Sequence, residues 1–183
     1  MKQKYSKGFR IHIGMRNVKT AITATICAAL YFLVDRDPTF ACIGAIFGMG
    51  SDIENSKLNG GNRLFGTIFG GVIGMAFYPL YLMLYPDGGY HPLLLLFLFV
   101  GVIILVLVSI GFGWPGAIQP GGVILCILLF TNKTDTFVSY SLNRIFDTAF
   151  GVVVAIAVNH LFPRERVVRW LNKLGMHELD EME

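Results

Sequence analysis

Between Arg63 and Lys133 the chain carries a single formally charged side chain, Asp87. That stretch is long enough to cross a bilayer roughly two or three times at about 20 residues per helix. A water-soluble fold would have to turn a charged surface outward somewhere along it. With 54% of its 183 residues hydrophobic and only 15% charged, the whole chain shares this bias. Lipid is therefore its solvent, and the long apolar runs read as helices of an all-α integral membrane protein.

Pro, Gly and charged residues punctuate six apolar runs: 20–34, 38–50, 64–85, 92–112, 120–130 and 145–162. The second and fifth are short for a straight crossing, so they either extend into their polar flanks or are broken helices. Basic residues collect in the N-terminal arm (Lys2, Lys4, Lys7, Arg10, Arg16, Lys19), around Lys57 and Arg63, and in the tail (Arg164, Arg166, Arg169, Lys173), whereas the loop 85–92 has none. By the positive-inside rule both termini face the cytoplasm, with Arg36, Lys133 and Arg144 outside. The basic N-terminal region is too long for an ordinary signal peptide, so the first helix is expected to remain as an anchor. In the tail, Val167, Trp170, Leu171 and Leu174 recur at helical spacing between basic residues, the pattern of an amphipathic helix on the inner leaflet. The expected organisation is a six-helix transmembrane domain over 1–163 and a cytoplasmic tail over 164–183.

A self-match organises the six runs. Asn62-Arg63-Leu64-Phe65-Gly66-Thr67-Ile68-Phe69-Gly70-Gly71-Val72 returns 81 residues later as Asn143-Arg144-Ile145-Phe146-Asp147-Thr148-Ala149-Phe150-Gly151-Val152-Val153, with seven of eleven positions identical. Pro38 and Pro120 open the second and fifth runs in nearly the same register. Each copy falls on the third helix of a triplet, which divides the chain into repeats over about 10–85 and 92–163. An odd number of crossings per unit inserts the second unit upside down, the architecture of many secondary transporters, whose pathways run along short or Pro/Gly-interrupted helices. The second and fifth runs are the candidates for that lining. Gly66, Gly70 and Gly74, with Gly151, Ala155, Gly44 and Gly48, supply small-residue stripes for close packing. Packing within one protomer is the simpler use, and a dimer seam is the alternative.

Arg63 and Arg144 occupy matching places at the starts of their runs, one at each membrane face in an inverted arrangement. A guanidinium stays charged and offers a fork of donors to a carboxylate, so the pair, with Thr67 and Thr148 one turn on, marks a candidate anion path. Asp147 replaces Gly66 of the first copy and stands three residues from Arg144. A static Arg144–Asp147 pair is the simplest account, and proton coupling is the alternative. Asp52 and Glu54, past the second run, are further candidate proton carriers. Trp114-Pro115-Gly116, followed by Gln119-Pro120, reads as an interfacial turn.

Other chemistries find no support. Cys27, Cys42 and Cys126 lie inside apolar runs without C-x-x-C spacing, and His12, His91, His160 and His177 form no ligand cluster, so neither metal nor cofactor is expected. No nucleotide-binding or hydrolase motif is present, and a net charge of +3 concentrated beside membrane spans does not indicate nucleic acid.

Ile13-Gly14-Met15-Arg16-Asn17-Val18-Lys19-Thr20-Ala21, together with the two Asn-Arg-x-Phe-x-Thr-x-Phe-Gly copies, resembles the fusaric acid resistance and aromatic acid exporter superfamily, and its small bacterial aromatic acid exporter members most of all. The resemblance covers about residues 10–163. It implies export of aromatic carboxylates, basic residues near an anion path at Arg63 and Arg144, and paired protomers as in the similar plant malate channels. Asp147 departs from the motif, which has Gly there, and regulation through the large soluble domain of longer members is not expected. The expectation is a homodimeric plasma-membrane exporter of organic anions driven by the proton gradient, and not an enzyme. A passive anion channel and a non-transporting membrane subunit are the alternatives.

Overall fold

The computed structural model describes residues 15–130 and 136–163, and every described element is helical. In chain order these are α1 (Met15–Leu33), α2 (Thr39–Gly48), α3 (Ile53–Leu84), α4 (Leu93–Gly111), α5 (Ile118–Phe130) and α6 (Phe137–Leu161), with a single 3-10 turn at Pro115–Ala117 leading into α5. The N-terminal arm with His12, Lys133, and the tail expected to be amphipathic lie outside the described residues.

Local chemistry explains where these helices begin and end. Thr20, Thr23 and Thr25 of α1 each return their hydroxyl to the carbonyl four residues back, which satisfies a polar group that lipid cannot. α1 stops at a left-handed residue, Asp35 (φ 53°): the Asp35 N–H bonds the Phe32 carbonyl and the Arg36 N–H bonds the Tyr31 carbonyl at 3.1 Å. This paired closure fixes where Arg36 leaves the helix. α3 starts at Ile53, not Leu64, because the Asp52 carboxylate accepts from the Asn55 N–H at 2.8 Å and nucleates about three largely polar turns ahead of the apolar run. α6 likewise starts at Phe137, where Ser141 is buried and bonds the Phe137 carbonyl.

The two long helices α3 and α6 pass each other in opposite directions, with Gly60 against Val152 and Gly71 beside Ser141. α1 runs antiparallel to α6, joined by Lys19 to Asn159 and Tyr31 to Asp147, just as α4 runs antiparallel to α3, joined by Phe112 to Phe69 and Phe97 to Phe77. The short helices do the reverse. α2 runs along α6, with Gly44 at Thr148 and Gly48 at Val152, and α5 runs along α3, with Pro120 at Gly66 and Leu128 at Gly74.

Glycine permits these approaches. A side-chain carbon on Gly151 would strike the Ala41 carbonyl, and one on Gly70 would strike the Gly121 carbonyl. The small-residue stripes thus pack inside the protomer, and the simpler of the two expected uses holds. Tyr78, Tyr81, Leu94, Leu105, Leu125 and Leu129 fill a core among α3, α4 and α5.

α3, α4 and α6 are long and apolar enough to cross a membrane, whereas α2 and α5, at 10 and 13 residues, are not. The expected order of six helices is therefore present, but length and composition support three crossings by themselves. α4 turns Leu96, Phe99, Leu107 and Ile110 outward, a face that belongs in lipid.

Candidate functional site

Arg63 lies ten residues past Ile53, not at a helix start as its sequence position implied. Arg144 lies seven residues into α6. The contacts of Gly60 and Gly71 with α6 put Arg63 level with residues 148–150, so the arginines stand on either side of the α3–α6 crossing. Their separation along that axis is about 7.5 Å at 1.5 Å per residue. They flank the middle of the bundle, which corrects the expectation of one arginine at each membrane face.

Their surroundings differ. Arg63 is 9% exposed and borders a cavity of about 460 Å³ lined by Phe47 of α2, Asn59 and Asn62 of α3, Gly116, and Gln119, Pro120 and Val123 of α5. Its guanidinium carbon sits 5.5 Å from the Phe47 ring centroid, and its Nε has no hydrogen-bond partner. Among the described residues no carboxylate lies within ion-pair distance of it. A buried, unneutralised guanidinium beside amides and a ring is equipped to receive a planar anion. Both short helices contribute walls, as their Pro-opened sequences led us to expect. Across the first turns of α3 lies the 114–117 turn, with Trp114 stacked on Phe65 at 4.6 Å and resting against Gly61.

At the matching place in α6, Arg144 is partly exposed and lies against two rings, and its Nε, like that of Arg63, has no hydrogen-bond partner. Its guanidinium carbon lies 3.2 Å from the Phe40 ring centroid and 4.3 Å from that of Tyr140. Asp147, 4% exposed, does not pair with Arg144 as its spacing suggested. Its Oδ1 accepts instead from Arg36 Nη2 at 3.0 Å and from the Tyr31 hydroxyl at 2.8 Å, while Arg36 also reaches Asn143 at 3.4 Å. The closure of α1 delivers Arg36 to this point, and the two rings already engage Arg144.

The remaining candidates are dispersed. Thr67 and Thr148 are both fully buried: the Thr67 hydroxyl donates to the Arg63 carbonyl at 2.9 Å, and the Thr148 hydroxyl has no partner. Asp52 is exposed at the cap of α3, where the Asn55 backbone N–H and then its side chain hold the carboxyl below the usual carboxylate range. Glu54 is exposed in the first turn. Phe47 and Asn59 were not singled out by sequence, and Gln119 and Arg36 were read as a turn residue and an outer-face charge, although Asn59 shares a helical face with Asn62 and Arg63 once α3 is extended back to Ile53.

Apolar helices with lipid-facing side chains, carrying an uncompensated cation beside a polar cavity, define a membrane transporter. The family model described as aromatic acid exporter family member 1 matches residues 11–162. The chain belongs to that aromatic acid exporter family, a family of exporters and not of enzymes. No curated protein and no solved structure matches it.

Proposed function

We propose that the chain exports organic anions, aromatic carboxylates foremost, across the plasma membrane, with Arg63 as the residue that binds the carboxylate. The observation that carries this reading is the buried Arg63 guanidinium, which borders a cavity and has no carboxylate of its own. Bidentate hydrogen bonds would hold the substrate carboxylate, Asn59, Asn62 and Gln119 would meet its polar edges, and Phe47, Pro120 and Val123 would take its ring.

The opposed directions of α3 and α6, and the exchanged roles of α1/α4 and α2/α5, support two inverted three-helix repeats making six crossings. In that arrangement the ends at Met15, Ile53 and Leu161 share one face with Arg16, Lys19 and Lys57, so this face is cytoplasmic and the cavity opens toward it. Arg144 is then the matching station for the outward-facing state, set here against Phe40 and Tyr140. Phe47, although it lines the cavity, is 62% exposed, which leaves the polar pocket open at the side. Lipid cannot close a wall beside Arg63, Asn59 and Gln119, and a second copy can, which favours a homodimer.

Export is driven by the proton gradient in this reading. Asp147 is the buried carboxylate among the three candidate carriers, although Arg36 and Tyr31 hold it, whereas Asp52 and Glu54 are exposed. In vesicles loaded with radiolabelled benzoate, Arg63→Ala should abolish efflux while the protein still inserts. Efflux at the wild-type rate would remove Arg63 from the path. Planar-bilayer recording decides between carrier and channel, because unitary currents would identify a conducting pore.

A further inference from the structure

Three charged side chains are buried among the described helices: Lys19, Arg63 and Asp147. Arginine keeps its proton under any physiological condition. Asp147 is held as a charge-compensated partner of Arg36 and Tyr31. Lys19 is different. It is 5% exposed, and its ammonium has one described acceptor, the amide oxygen of Asn159 at 2.9 Å.

That one bond has wide reach. The Asn159 amide nitrogen donates in turn to the Ser56 hydroxyl at 2.9 Å and to the Gly50 carbonyl at 3.4 Å, and the same hydroxyl accepts from the Gly50 N–H at 2.8 Å. Lys19 thereby ties α1 to α6, to α3 and to the link between α2 and α3. Ser56 lies two turns before Arg63 on one face of α3, so the tie sits at the end of the cavity nearest Met15 and Leu161.

We propose that Lys19, Asn159 and Ser56 form a proton-operated latch in which protonated Lys19 keeps α1 docked and the Arg63 cavity shaped, and loss of that proton releases α1. The step moves one proton from Nζ to water on the adjoining face and changes no other bond. It replaces a charge-assisted hydrogen bond by a weaker neutral one. Among the described residues no carboxylate pairs with Lys19, and a buried amine so placed gives up its proton at less cost than an exposed one.

The neighbours leave Lys19 as the responsive group. α2 presents no charged side chain, only the Cys42 thiol, which donates to the Ala24 carbonyl. On α6, His160 is exposed beside Asn159, and Asp147 is about 18 Å further along at 1.5 Å per residue. On α3, Glu54 and Lys57 are exposed, and Asp52 is bonded to Asn55. On α1 itself Arg16 is exposed, and Cys27 and Tyr31 lie two and three turns away.

The latch is testable without transport, and only its consequence for the cavity rests on the export reading. Amide hydrogen exchange over residues 50–56, corrected for intrinsic rates, is followed in the full-length protein from about pH 6 to about pH 10, a range bracketing buried and free lysine. Wild-type protection should fall at least tenfold across this range. Lys19→Arg should hold it constant and Lys19→Met should keep it low throughout, while His160→Gln should respond like wild type. Should Lys19→Arg fail to insert, Asn159→Leu removes the acceptor and should give low protection at every pH. A flat wild-type profile, or an unchanged pH response in Lys19→Arg or Asn159→Leu, would overturn the latch. Benzoate binding measured in the same samples reads the export proposal separately: no binding at any pH would defeat that proposal and leave the exchange result to decide the latch.

Discussion

Arg63 and Arg144 stand at matching positions in two near-copies of one segment, yet one borders an open cavity and the other is sandwiched between rings. The difference follows from neighbours that the repeat did not keep. Asn59 of the first copy corresponds to Tyr140 of the second, 81 residues on, and Phe40 beside Arg144 corresponds at the same offset to Gly121, which offers no ring. Gly66 is replaced by Asp147, whose carboxylate neutralises Arg36 and not the repeated arginine. A handful of side chains thus decide which of the two matching arginines borders a polar cavity and which lies against rings.

The sharpest way to break this comparison is to remove each cation in turn. Arg63→Ala should weaken benzoate binding on the order of 100-fold, the loss expected for a buried charge-assisted pair. Arg144→Ala should leave binding within about threefold and impair export instead, because the Phe40 and Tyr140 rings, not a polar cavity, face its guanidinium. Calorimetry on purified protein checks both, and equal losses would erase the distinction between the halves.

Exchanging the covers should have the next largest effect. Asn59→Tyr should close the first site and cost on the order of tenfold in affinity, since about 1.4 kcal/mol corresponds to that factor. The reciprocal Tyr140→Asn should uncover Arg144 and add a second, weaker binding step to the isotherm.

Asp147→Gly, which restores the residue of the first copy, leaves Arg36 and Tyr31 without their acceptor. The expected loss is about 1 kcal/mol, at the low end for a broken buried bond because Arg36 is 41% exposed, and thermal melting in detergent reads it.

The smallest effect belongs to the helix starts, which also differ: Asp52 caps α3 with its side chain, and Thr136 gives α6 no such bond. Because the folded state holds the Asp52 carboxyl below its usual range, the cap contributes at neutral pH and is lost as pH falls through that lowered value. Asp52→Asn, an equally good cap without the charge, should blunt acid fraying of α3, seen as a flatter amide-exchange profile at residues 53–56 at low pH.

Much of the frame was legible in the sequence. The helix order and the breaks at Pro38 and Pro92 follow from the apolar runs, whereas the fifth helix, expected to open at Pro120, starts at Ile118 directly after the Pro115–Ala117 turn. The start of α3 did not follow from them either, because Glu54, Asn55, Ser56, Lys57 and Asn59 carry no apolar periodicity, although Asp52 followed by Asn55 is a capping signal. The Arg36–Asp147 pair spans 111 residues and the Lys19–Asn159 bond spans 140, and local spacing carries no information about either. Spacing on one helix pointed to Arg144 as the partner of Asp147, and tertiary packing chose otherwise.

Trp114 offers one last consequence. Its indole rests on Phe65 and Gly61, next to Asn62 and Arg63, and the sequence contains only one other tryptophan, Trp170. Replacing Trp170 by Phe would leave a single tryptophan, excitable apart from the tyrosines at the red edge, at the rim of the cavity. Emission from that ring would then track substrate arrival in real time, with no dye attached and nothing inserted into the path.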